Sequence, residues 1–177
     1  MASGGADHKV LFWDLTQGKA IKSINEHKDK VQMVRWNKTE DNVLITGSYD
    51  KTIKLFDVRC ETSATTLETN AEIECLDWSG LNKYLFLSSY DNGRIDLYDI
   101  RKFETVVSYQ AHKKAATSVT FSNKQEFLFS SVSLDSHVKV WDSRYPKASG
   151  DSVVPDLICE KFVKNLADTR KIYAENW

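Results

Sequence analysis

His112, Ser133 and Asp135 are the residue types of a nucleophilic triad: a hydroxyl to attack, an imidazole to take its proton, a carboxylate to orient the ring. His27, Ser48 and Asp50 repeat the same order at the same intervals. That repetition argues against catalysis. An enzyme needs one such site, and neither serine lies in a G-x-S-x-G elbow. Polar side chains duplicated at a fixed period fit a structural unit that satisfies its buried groups the same way each time. Asp7 and Trp13 make an earlier partial set, with Gly5 at the serine place. A third copy has Asn70 where the His is expected, and a turn that reads as one residue longer. Either Asp91 or Asn92 then takes the Asp role, and Asn92-Gly93 suits positive φ. His8 and His137 sit beside turns and read as solvated. No metal-ligand spacing occurs, and no cofactor is expected.

The elements that position these residues repeat. Aromatic-Asp pairs stand at Trp13-Asp14, Phe56-Asp57, Tyr98-Asp99 and Trp141-Asp142, spaced 43, 42 and 43 residues apart. A second aromatic series, Trp36, Trp78 and Phe121, runs out of phase with the same period. Before each aromatic-Asp pair the apolar residues alternate, as in Ile53/Leu55 and Ile95/Leu97, which is the period of a strand. Short apolar runs at 43–46, 84–87 and 127–130 precede tight turns. With "VQMVRW" before and "ATTLE" after, the count is four short strands per period.

A 42–43-residue repeat of four strands with a Trp-Asp ending resembles the blade of the WD40 β-propeller family. The resemblance implies an all-β fold of about four blades of four-stranded antiparallel sheet, an open arc of a larger, seven-bladed ring. The chain 1–177 then reads as one repeat domain, with blades over about 2–26 (partial), 27–68, 69–110 and 111–164. Residues 165–177, ending in Trp177, would start a further blade or supply a closing strand. The resemblance also implies that His112, Ser133, Asp135 and Trp141 form a hydrogen-bonded tetrad. His27, Ser48 and Asp50 would form a partial one, with Phe56 in place of its Trp. On this count blade four is the best tied and blade three the loosest.

Arg59, Arg101 and Arg144 each follow an aromatic-Asp by one residue. They read as a repeated surface or inter-blade ion pair. Similar W-D-x-R endings occur in WD40 substrate receptors of cullin-RING ubiquitin ligases. Tyr49 and Tyr90, beside the turns, are expected at the rim of one face, where aromatics anchor partners. Lys30, Lys114 and Leu134 are expected to join them, with Lys113 near.

The net charge of −1 and pI near 6.4 give no support for bulk nucleic-acid binding, so such contact is expected to be indirect or local. No apolar run has membrane-spanning length, and the N-terminus has no signal-peptide core. Cys60, Cys75 and Cys159 are widely spaced and read as free thiols. Phrases such as "ASGGADHKVLFWDL", "HKDKVQMVRWN" and "LITGSYDKTIKLFDVR" are similar to those of the periodic tryptophan protein 1 group of WD40 proteins. That resemblance implies a nuclear or nucleolar, non-enzymatic scaffold of ribosome biogenesis, without a small-molecule substrate, whose partners are pre-ribosomal proteins. The alternatives are a cullin-ligase substrate receptor that binds a ligase adaptor and a chromatin reader that binds histones.

Overall fold

The computed structural model describes residues 1–60, 62–63, 65–149 and 152–162. Within them every regular element is a strand. In chain order these are β1 (Ala2–Gly4), β2 (Val10–Asp14), β3 (Lys19–Ile24), β4 (Val31–Trp36), β5 (Val43–Ser48), β6 (Thr52–Asp57), β7 (Thr65–Glu68), β8 (Ile73–Trp78), β9 (Leu85–Tyr90), β10 (Arg94–Asp99), β11 (Glu104–Gln110), β12 (Ala116–Phe121), β13 (Leu128–Ser133), β14 (His137–Ser149) and β15 (Ser152–Phe162). They form four antiparallel sheets of sequential strands: β1-β2-β3, β4-β5-β6-β7, β8-β9-β10-β11 and β12-β13-β14-β15. The first sheet has three strands and each of the others four, the organisation of propeller blades. The expected last strand at 165–177 lies outside the described residues.

One blade cannot bury both of its faces, so the cores lie between blades. Val10, Phe12, Leu44 and Phe56 join blades one and two. Ile53, Ile73, Trp78, Phe86 and Tyr98 join blades two and three. Leu87, Ile95, Val119, Phe121 and Trp141 join blades three and four. The residues that alternate in the sequence are the ones that reach these cores. Ile53, Ile73, Ile95 and Val119 are each at most 1% exposed, and each such side chain stabilises the stack by roughly 1.5–3 kcal/mol. Gly47 lets blade three approach closely: a Cβ there would stand 2.5 Å from Ile73 Cγ2.

The hairpin between β1 and β2 in blade one, and between the second and third strands of the other blades, has the same form. The N–H of His8, Lys51, Gly93 and Ser136 donates to the carbonyl of Gly5, Ser48, Tyr90 and Ser133 respectively. All four donors have positive φ. This is a three-residue turn with a left-handed closing residue. Three blades hold that conformation with an ordinary side chain. Blade three uses Gly93, where a Cβ would also meet the carbonyl oxygen of His112 at 2.4 Å. The turn of blade three is therefore not longer than the others, and Asn92 stands at the Asp place. The missing residue of the shorter period lies instead in the loop before β8. There the Thr69 N–H donates to Lys51 O, as the His112 N–H donates to Gly93 O one blade later. Asn70 is exposed.

Candidate functional site

The Ser/His/Asp groups are consumed by the blades. In blade four, Trp141 Nε1 donates to Ser131 Oγ at 2.8 Å, and the same hydroxyl lies 2.7 Å from His112 Nε2. His112 Nδ1 lies 3.0 Å from Asp135 Oδ2. Asp135 also accepts the N–H groups of Lys113 and His137. One assignment of protons satisfies the whole chain: indole N–H to hydroxyl, hydroxyl to neutral imidazole, imidazole N–H to carboxylate. Burial pushes the His112 pKa down, and Asp135 only partly opposes it. At Asp135 burial pushes the carboxyl up, but the hydrogen bonds and His112 outweigh it and hold it at about 2. The ring is a neutral strut between a loop and a strand.

The serine in this chain is Ser131, not Ser133 as the sequence suggested. Side chains alternate along a strand, so both serines lie on the Trp141 side of β13, but only Ser131 is level with the indole. The Ser133 hydroxyl accepts the Asp135 N–H at 3.0 Å and donates to Lys114 O at 3.1 Å, closing the turn. Blade two repeats the arrangement with Thr46 2.7 Å from His27 Nε2, and Asp50 2.9 Å from Nδ1. Ser48 serves the turn, accepting from Asp50 N–H and donating to Asp29 O. Blade one has Trp13 Nε1 on Ser3 Oγ at 2.8 Å. The relay hydroxyl stands ten residues before the aromatic in these three blades (Ser3, Thr46, Ser131), an interval that the sequence displays beside the more conspicuous turn serine.

Blade three has a different tie. Tyr98 stands where Trp141 stands, and its hydroxyl donates to Asp96 Oδ2 at 3.1 Å. Tyr90 Oη lies 2.8 Å from Tyr98 Oη. Since the Tyr98 hydrogen goes to Asp96, Tyr90 is the donor of that pair. Asp96 Oδ1 accepts Arg94 Nε at 3.0 Å and also the Ser108 hydroxyl. Burial, with Asp96 adding to it, pushes the Tyr98 hydroxyl up to about 12 and Tyr90 well above its ordinary value. Asn92 and Asp91 share the turn duties: Asn92 accepts the Arg94 N–H, Asp91 the Glu72 N–H. The sequence signal for this substitute tie was a Tyr at the turn-serine place together with an Asp in the third strand of the same blade.

The proposed rim set divides. Tyr90 is 2% exposed and belongs to the core, because it aligns with Ser48 and Ser133 and not with Tyr49. The residues equivalent to Tyr49 are Asp91 and Leu134: their N–H groups donate to Lys30 O, Glu72 O and Ala115 O. Tyr49 is half-buried, with its hydroxyl on Glu74 Oε1 at 2.9 Å and the Lys30 ammonium 3.8 Å from its ring centroid. Burial, then Glu74, pushes its pKa up to about 12. Lys114 and Leu134 are exposed at the corresponding end of blade four.

The Asp-x-Arg repeats are local clamps within blades two, three and four. Arg59, Arg101 and Arg144 direct Nε to Asp57, Asp99 and Asp142 at 2.8, 3.0 and 3.0 Å, and their own N–H groups cap the same carboxylates. Among the described residues no cluster of His, Cys, Asp and Glu could hold a metal ion. Asp77, which the sequence did not single out, ties three blades: it accepts the Phe121 N–H at 2.9 Å and pairs with Lys38 at 3.3 Å.

Comparison with known proteins matches residues 8–120 to the E3 ubiquitin-protein ligase RFWD3 WD40 domain and residues 103–142 to the WD domain, G-beta repeat. Similar curated proteins include the ribosome biogenesis protein WDR12 homologs of Drosophila virilis, 35% identical over 83% of this chain and 39% of that protein, and of Culex quinquefasciatus, 34% identical over 82% and 36%. E3 ubiquitin-protein ligase COP1 of Arabidopsis thaliana is 30% identical over 80% of this chain and 21% of that protein. The chain spans about two fifths or less of these relatives. A family match over more than half of the residues joins the four blades and their aromatic-Asp endings in one conclusion: the chain belongs to the WD40-repeat family.

Proposed function

We propose that the chain is a non-catalytic, protein-binding set of propeller blades that acts as a scaffold in ribosome biogenesis, in the nucleus or nucleolus. The observation that carries this reading is the identity of 34–35% to proteins named for ribosome biogenesis, over more than four fifths of the chain. The chemistry of the blades supports the absence of catalysis. His27 and His112 have both ring nitrogens engaged within their own blades, and burial pushes both pKa values down. A serine nucleophile would need an imidazole free to cycle its proton and a substrate pocket beside it. Partners are then other proteins, with pre-ribosomal factors first. Lys30, Tyr49, Lys114 and Leu134 are the side chains at the loop ends offered to them.

A second reading, substrate receptor or other component of a ubiquitin ligase, is favoured by the match to the RFWD3 domain and to COP1. Affinity purification from cells followed by mass spectrometry separates the two. Pre-ribosomal proteins support the scaffold. Cullin adaptor subunits without pre-ribosomal proteins would replace it with the second reading, and histones would point to chromatin.

A further inference from the structure

A cleft lies on the third strand's face in blade two and again in blade three, with a reversal of charge between them. In blade two it has a volume of about 360 Å³, and Lys54 extends into it to reach Thr66 Oγ1 at 3.0 Å and Glu26 at 3.8 Å. In blade four the equivalent residue is Lys139, whose ammonium lies 2.9 Å from Ala111 O and 3.1 Å from Glu160. It also stands 5.7 Å from the Trp141 ring centroid. In both blades this place is thus taken by an ammonium of the chain itself. In blade three the same place is Asp96, and a cavity of about 120 Å³ opens beside it.

Acceptors crowd one side of that cavity, and Arg94 is the only cationic side chain in its lining. Tyr98 spends its hydrogen on Asp96 and Tyr90 spends its hydrogen on Tyr98, so neither phenol has a hydrogen left to offer the cavity. Asp96, Tyr98 and Tyr90 are each at most 5% exposed and all line the cavity. The Glu68 carboxylate stands at the mouth, so two carboxylates face the single cation of Arg94. Both Asp96 oxygens already carry a bond, so no free carboxylate edge remains for a planar guanidinium. A compact ammonium, which takes three separate acceptors, suits the geometry better. Glu68 and Thr69 line both this cavity and the blade-two cleft, which gives an extended chain a path alongside.

We propose that the cleft between blades two and three binds the ammonium of a lysine side chain from a partner protein, in the position that Lys54 and Lys139 fill in the neighbouring blades. The inference rests on the cleft alone and stands whether or not the ribosome-biogenesis reading does. The test is a two-dimensional amide NMR titration of the full chain with Nα-acetyl-lysine methylamide, with the norleucine analogue as the neutral control. Saturable shifts confined to 68–71 and 90–98, at least fivefold weaker with norleucine, are expected. Asp96→Lys, which copies the neighbouring blades, should abolish them. Glu68→Gln, at the exposed mouth, should weaken binding about threefold, and it decides the matter if Asp96→Lys does not fold. Absence of shifts, equal shifts with norleucine, or an unchanged affinity in Glu68→Gln would overturn the proposal.

Discussion

Ser131 Oγ stands between His112 Nε2 and Trp141 Nε1, 2.7 and 2.8 Å from them, and joins loop, strand and neighbouring strand in one blade. All three groups are buried. Removing the hydroxyl leaves an indole N–H and an imidazole nitrogen without partners, whereas removing the Ser133 hydroxyl releases two backbone groups at a turn near solvent. Ser131→Ala should therefore cost about 1–3 kcal/mol and Ser133→Ala only about 0.5–1.5 kcal/mol. Urea melts of the two variants check the order. Equal losses would remove Ser131 from its place in the tie.

Blade three should be as firm as blade four. The sequence suggested the reverse, because the expected His is missing there and the turn reads as irregular. Yet all six residues of β9 are buried, and the Tyr90–Tyr98–Asp96 chain replaces the absent tie. Hydrogen exchange at 85–98 is expected to be at least as slow as at 128–141. Faster exchange at 85–98 would show that the tyrosine chain is a weak substitute.

Tyr49 and Tyr90 should respond oppositely to truncation. Tyr90→Ala empties a core site and should destabilise the fold by about 3–5 kcal/mol. Tyr49→Ala should leave the melting temperature nearly unchanged while weakening the capture of protein partners. A Tyr49→Ala variant that retained every partner would remove that residue from the docking surface.

Stability should fall as the solution is acidified from neutral pH. The folded pKa of His27 and His112 lies below the unfolded value near 6.5, so the unfolded chain binds protons first as the pH drops through about 6.5. Asp50 and Asp135, held at about 2, add a second loss that starts below about pH 4 and is complete below 2. Guanidinium melts from pH 8 to 2 check both phases. Constant stability between pH 7 and 5 would contradict neutral, buried histidines.

Much of this was legible in the residues. The period shows in Trp13, Phe56, Tyr98 and Trp141 because an aromatic must fill the same gap beside each blade. The strands show in Ile53/Leu55 and Ile95/Leu97 because alternate side chains enter a core. The tie was misread at one point: Ser133 is adjacent to the turn and conspicuous, whereas Ser131 lies inside an apolar run where a hydroxyl looks incidental. Blade three differs because the phrase Ser89-Tyr90-Asp91 copies Ser48-Tyr49-Asp50 one place out of step, which makes its turn look one residue longer. Backbone pairing at Thr69 and Gly93 sets the register, and the constant six residues from Asp50 to Phe56, Asn92 to Tyr98 and Asp135 to Trp141 agree with it. The same offset makes Tyr90 look equivalent to Tyr49, whereas it aligns with Ser48.

The central reading, a protein-binding scaffold of ribosome biogenesis, is tested most directly by sedimentation. The tagged chain is expressed in cells and nuclear extract is run on a sucrose gradient, with pre-ribosomal RNA followed by hybridisation. The chain is predicted to migrate with large-subunit precursor particles and to move to the top of the gradient after ribonuclease treatment. Migration wholly in light fractions with cullin adaptor subunits, unaffected by ribonuclease, would contradict it.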